Sequence, residues 1–231
     1  MLRPGSPRQF IGMLFTPGFP GYTRGVAACG PGAFVVTTAL GAVSRFWPGE
    51  LKSEVLASGF DQLYGVAIAP GGAAIVAEQG TGRVLSIEGG EVEEIGSGLK
   101  LPSGVAVSSD GTRFVAESGG GRVVKLSAGK AQTVLDGLKQ PQGILVRGSV
   151  LYVVDAGAKA LIQYELTTGK RSTIASDLPV GAPPGVAPKF LKAIGDLSGP
   201  MGPFAGITAG PDGALYFSAD AEGSVMRISP A

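Results

Sequence analysis

"GVAVSSDGTRFVAESGGGRVVKLSAG", residues 104–129, decides the fold because the chain states it twice. "GVAIAPGGAAIVAEQGTGRVLSIEGG", residues 65–90, has the same parts in the same order. Each begins with Gly-apolar-x-apolar, makes a turn, and continues into a β-rich run that ends in an acid. A glycine turn and an Arg-Val run follow. Self-similarity at a fixed period is the mark of a repeat architecture.

The opening phrase recurs at Gly25, Gly65, Gly104, Gly143 and Gly206, at intervals of 40, 39, 39 and 63 residues. Second runs are "FVVTT", "AIVAE", "RFVAE", "LYVVD" and "LYFSAD"; third runs are "AVSRFW", "RVLSIE", "RVVKLS", "ALIQYE" and "SVMRIS". Four units add a fourth run, "EVLAS", "VEEIGS", "AQTVLD" and "RSTIAS". Short runs rich in Val, Ile, Phe and Tyr, bounded by Gly and Asp, read as strands. Glycine and proline fall too often for helices to persist. Four strands in about 40 residues is the period of a β-propeller blade. The expected fold is therefore an all-β, single-domain propeller of five four-stranded blades over residues 1–231. The last unit stops after its third run, and "QFIGMLF", Gln9–Phe15, precedes the first unit. That segment is expected to supply the missing strand and close the ring. The long interval holds a Pro- and Gly-rich insert, residues 178–204, expected to form a loop over one face.

Composition excludes several function classes. Nineteen basic and 18 acidic residues give a net charge of +1, which leaves no footprint for nucleic acid. The chain has no histidine, so Ser-His-Asp and Cys-His chemistry and histidine-ligated zinc are excluded. The single cysteine, Cys29, forms no internal disulfide and reads as a small strand residue. No run approaches the roughly 18 apolar residues of a membrane span. The N-terminal apolar run is broken at Gly12 and Pro17, unlike a secretory signal. The expectation is a soluble cytoplasmic protein, or a secreted or periplasmic one where the N-terminus is incomplete.

The alternation of strand direction brings two sets of side chains to one mouth. Thr37, Glu78, Glu117, Asp155 and Asp220 end the second strands. Arg24, Tyr64, Ser103, Gln142 and Ala205 precede the repeat glycines, and the insert begins and ends on the same face. Two readings of the acids stand side by side. They cap the amides of their own turns and pair with Arg83 and Arg122, or they form a carboxylate ring for a hard cation, which takes six to eight oxygens. Asp155, Asp220 and Gln142 are the candidate metal ligands, because no repeat arginine follows either acid. Trp47 and Tyr64 read first as packing at the core or rim. "SDG" and "PDG" read as turns, and the glycine-rich "GTGRV" and "GGGRV" lead into strands, without the helix a phosphate loop needs.

"GVAVSSDGTRFVAESGGGRVVKL" closely resembles the NHL repeat, and "PQGILVRGSVLYVVDAGAKALIQYEL" resembles the gluconolactonase and senescence-marker-protein family. The resemblance covers nearly the whole chain outside the insert. It implies a propeller that hydrolyses sugar lactones or related esters with a divalent metal, often calcium, in the channel. It puts Gln142 of Pro141-Gln142-Gly143 in place of a ligating asparagine, and Asp155 at the family's Tyr-x-x-Asp acid. Asp155 and Asp220 would hold the metal, with Glu117 or Glu78 as general base. The chain departs from the pattern where "YTRG" replaces an expected Glu-Gly-Pro, and in having five units where the family has six blades. The similar antibiotic-opening lyases use a histidine that this chain lacks. The rival reading is a non-catalytic scaffold that binds a protein or a small ligand at the mouth.

Overall fold

The computed structural model describes residues 18–183, 186 and 204–229, and every regular element among them is a strand. Blade one holds β1 (Thr23–Gly30), β2 (Ala33–Thr38), β3 (Ala42–Trp47) and β4 (Lys52–Ser58). Blade two holds β5 (Leu63–Ile68), β6 (Ala74–Glu78), β7 (Arg83–Glu88) and β8 (Glu91–Gly96). Blade three holds β9 (Pro102–Val107), β10 (Arg113–Glu117), β11 (Arg122–Ser127) and β12 (Lys130–Leu135). Blade four holds β13 (Pro141–Arg147), β14 (Val150–Asp155), β15 (Ala160–Glu165) and β16 (Arg171–Ala175). Blade five holds β17 (Ile207–Ala209), β18 (Leu215–Ala219) and β19 (Ser224–Ile228). Each blade is an antiparallel meander in chain order. The innermost strands stack in sequence, β1 on β5, β5 on β9, β9 on β13 and β13 on β17. The fold is thus a five-bladed β-propeller.

Second strands read as continuous apolar runs because both of their faces are covered. In β10, Val115 joins the core between blades two and three, while Phe114 and Ala116 join the core between blades three and four. The same division places Val35 and Val76 between blades one and two, and Val154 and Phe217 between blades four and five. Each fully buried side chain of this size contributes about 1.5–3 kcal/mol. Fourth strands touch the core on one side only. Accordingly β8 and β12, with sequences EVEEIG and KAQTVL, are exposed over most of their length.

The repeat glycines have a steric reason. A Cβ at Gly25 would lie 2.4 Å from the Tyr64 carbonyl oxygen of the next blade; at Gly65, 2.7 Å from that of Ser103. At Gly104 it would lie 2.0 Å from the Gln142 carbonyl oxygen, and at Gly143, 2.3 Å from that of Ala205. Inner strands therefore approach so closely that only hydrogen fits between them. Gly206 differs: a Cβ there would meet nothing nearer than 3.8 Å, and no first-blade atom within 4 Å. Between blades five and one the stacking rule lapses.

One sequence assignment shifts. Thr38, not Thr37, pairs across the ladder with Thr23, at the rung where Glu78 pairs with Leu63 and Glu117 with Pro102. Thr37 instead faces blade two. Its hydroxyl accepts from Gly25 N–H at 2.9 Å and donates to the Tyr64 carbonyl at 2.6 Å. The expected closing strand, Gln9–Phe15, lies outside the described residues, as does most of the insert.

Candidate functional site

Three buried acids sit at the rung where the second strand ends, and each points back to the loop that leads into its own blade. Glu78 accepts from Asp61 N–H at 2.8 Å, from the Thr81 hydroxyl, and from Arg83 Nε at 2.8 Å, with Arg83 Nη2 at 2.7 Å. Glu117 accepts from Lys100 N–H at 2.7 Å and from Arg122 Nε at 2.6 Å. Asp155 accepts from Lys139 N–H at 2.9 Å on one oxygen, and from Gln140 N–H at 2.8 Å and Ala158 N–H at 3.2 Å on the other. The acids are 0–1% exposed. Where the Arg of the repeat is missing, as after Asp155, a third amide takes its place. Burial pushes the Glu78 carboxyl up, but the Thr81, Asp61 and Arg83 hydrogen bonds outweigh it and hold the group below its ordinary value. The Glu117 hydrogen bond in turn raises the Arg122 guanidinium.

Asp220 keeps the pattern over a longer span. One oxygen accepts from Gly181 N–H at 2.8 Å, at the start of the insert, and the other is buried without a hydrogen-bond partner. Beside it, Lys159 donates to the carbonyls of Val180, Gly181 and Ala182, so an ammonium already fills that nest of oxygens. Gln142 is buried, and its Oε1 accepts from Ala205 N–H at 2.8 Å, which ties blade four to blade five. Ser103 and Ser118 likewise donate to the Pro141 carbonyl, blade three to blade four.

Glu78, Glu117 and Asp155 stand at matching rungs of their blades, but their oxygens turn into the protein, and none of Glu78, Glu117, Asp155, Asp220 and Gln142 lines the central cavity. No group of three or more Asp, Glu or Cys poised for a metal occurs among the described residues. A hard cation needs six to eight oxygens. Of the candidate ligands, Asp155 has both oxygens engaged by amides, Gln142 Oε1 is engaged by Ala205, and Asp220 offers one open oxygen. The donor set present does not fit a divalent metal.

The space at the centre is of another kind. A cavity of about 370 Å³ is lined by all five repeat glycines, with Arg24 and Phe204 toward the mouth and Val26 and Val225 toward the seam between blades one and five. That volume lies within the usual range for small-molecule sites. Arg24 is the one charged side chain among its described lining residues. Its guanidinium lies 5.0 Å from the centre of the Tyr64 ring, and the Tyr64 ring in turn meets Phe204 at 5.5 Å across the mouth. Burial pulls the Arg24 guanidinium below its ordinary value, partly offset by Tyr64. The sequence placed Arg24 and Tyr64 at the mouth; Phe204, the last residue of the insert, carried no signal of its own.

No protein-family model matches the chain. No curated protein matches it either. Solved structures do. A gluconolactonase from Xanthomonas campestris is 18% identical, with a TM-score of 0.67 over 91% of this chain and 76% of that one. A virginiamycin B lyase from Staphylococcus aureus is 16% identical, with a TM-score of 0.63 over 89% and 66%. A chain of a nidogen/laminin complex is 18% identical, with a TM-score of 0.61 over 66% and 63%. The chain therefore spans just under two thirds of the length of the last two. It shares its fold with a gluconolactonase, a virginiamycin B lyase and a chain of a nidogen/laminin complex alike, and a shared fold does not choose among activities. No helix among the described residues is long and apolar enough to cross a membrane.

Proposed function

We propose that this lactonase-like propeller is a binding protein, and that it takes a small, largely apolar organic anion into its central cavity with Arg24 as the anchoring cation. The observation that supports the reading is the division of charge at the mouth. The buried acids are turned into their turns, while a guanidinium lines the cavity. Carboxylates accepting charge-assisted bonds from amides and guanidinium groups act as structural clamps. Arg24 in a partly desolvated, apolar setting suits a carboxylate, which the planar guanidinium can bind through two parallel bonds.

The metal-dependent hydrolase keeps one observation in its favour, the buried, unpartnered oxygen of Asp220. Calorimetric titration with benzoate and with a δ-lactone separates the two readings. The binding reading expects benzoate to bind and Arg24→Gln to weaken it about tenfold, a loss of about 1.4 kcal/mol. Calcium-dependent hydrolysis of the lactone that is lost in both Asp155→Asn and Asp220→Asn would replace it with the enzyme reading.

A further inference from the structure

Arg45 and Arg227 occupy the same place in their blades. Arg45 pairs across the ladder with Val35, and Arg227 with Tyr216, each on the third strand and directed away from the preceding blade. Arg227 has a partner at each of its three nitrogens. Asp212 Oδ2 accepts from its Nη2 at 2.9 Å, the Tyr216 hydroxyl from its Nε at 3.2 Å, and Ser229 from its Nη1 at 2.7 Å. Blade one has lost both principal partners. Its first turn reads "GPGA" where blade five reads "GPDGA", so no residue matches Asp212, and Val35 stands where Tyr216 would. The Nε of Arg45 is buried with no hydrogen-bond partner. Glu54 pairs with Arg45 across the ladder to β4, yet no ion pair forms between them among the described residues. The guanidinium rests 5.9 Å from the Trp47 ring centre, which Lys52 also approaches, at 5.2 Å.

This unneutralised cation lines a cleft of about 460 Å³ between blades one and two, far from the acid-bearing mouth. Two glycine turns, at Gly71–Gly72 and Gly89–Gly90, frame it. Leu56 and Ile87 make an apolar wall, and Glu54 and Glu88 stand as exposed carboxylates beside it. The Nε itself is closed to solvent, but the Nη groups of the same guanidinium make no hydrogen bond or ion pair among the described residues, and they are what an acceptor in the cleft would meet. The two carboxylates disfavour phosphate and other polyanions, and they favour a ligand that brings a cation with its anion.

We infer that this cleft is a second ligand site, and that it takes a small zwitterion with an aliphatic body, an α-amino acid such as leucine. The carboxylate meets Arg45, the ammonium meets Glu54 and Glu88, and the aliphatic chain lies on Leu56 and Ile87. Arg227 in blade five offers no such site, because its own blade neutralises it.

The chain carries its own probe, because Trp47 is its only tryptophan and lies beneath Arg45. Titration with L-leucine is expected to change Trp47 fluorescence saturably. Leucinamide, which lacks the carboxylate, and 4-methylpentanoate, which lacks the ammonium, are each expected to bind about tenfold more weakly. Arg45→Gln is expected to cost leucine about tenfold and Arg45→Lys less. Should Arg45→Gln fail to fold, Glu54→Gln on the exposed wall still decides the matter: it weakens leucine but not 4-methylpentanoate. No response to leucine, an unchanged affinity in these variants, or tighter binding of inorganic phosphate than of leucine overturns the inference.

Discussion

Gly104 and Gly206 stand at the same rung of their blades and live in different surroundings. At Gly104 a methyl group would collide with the backbone of blade four, whereas at Gly206 it would make only ordinary contact, with Phe204 and Ser218 at 3.8 and 3.9 Å. Four interblade contacts are thus built on backbone touching backbone, and the fifth place in the cycle is not. The cavity reflects this: it is lined by the tightly stacked glycines on one side and by Val26 and Val225, both well exposed, on the other. Among the described residues, four seams are closed by backbone on backbone and the seam between blades five and one is not.

Substitutions at the glycines should divide sharply along that line. Gly104→Ala places a Cβ 2.0 Å from a carbonyl oxygen in a region with no room to shift. A loss of about 3 kcal/mol or more is expected, read as a fall in the denaturation midpoint. Gly206→Ala should stay within about 0.5 kcal/mol of the parent. Equal losses at the two sites would mean that blade five is stacked like the rest.

The acids come next in size. Asp155→Ala strips acceptors from three amides, and Glu117→Ala from one amide and an arginine. Each should cost about 1–3 kcal/mol through unsatisfied buried donors. Asp220→Ala leaves a single amide, Gly181, and should cost less. An Asp220→Ala loss as large as that of Asp155→Ala would place more than a turn clamp at Asp220.

A smaller effect appears in acid. Glu78 has its folded-state value held below the ordinary 4.5. The stability it contributes is full above about pH 4.5 and is lost as pH falls through the lower folded value. Glu78→Gln should therefore flatten the stability profile between about pH 4.5 and the acid limit and leave its slope near neutrality unchanged. A parent profile already flat below pH 4.5 would contradict the clamp.

The repeat made most of the fold legible, because period, glycine position and acid position recur together and each has a local cause. That Glu78, Glu117 and Asp155 end their second strands at matching rungs followed from the repeat alone. What the acids do there did not, since a carboxylate aimed at a cation and one aimed at its own turn have the same spacing. The threonines show a finer limit: Thr37 and Thr38 are adjacent, and only the ladder says which one faces the next blade. Arg45 was hidden for a different reason. Its missing partners lie in another stretch of its own blade, as an aspartate absent from "GPGA", and absence shows only beside a blade that kept it.

Thermal unfolding of the parent protein across a calcium titration separates buried acids that are clamps from acids that form a metal site. A cation held at a micromolar site would add about 4 kcal/mol at millimolar calcium. If the acids are clamps, the melting temperature does not move with calcium, and Asp155→Asn lowers it by the same amount with calcium or without it. A calcium-dependent rise in the parent that Asp155→Asn abolishes would contradict the clamp reading.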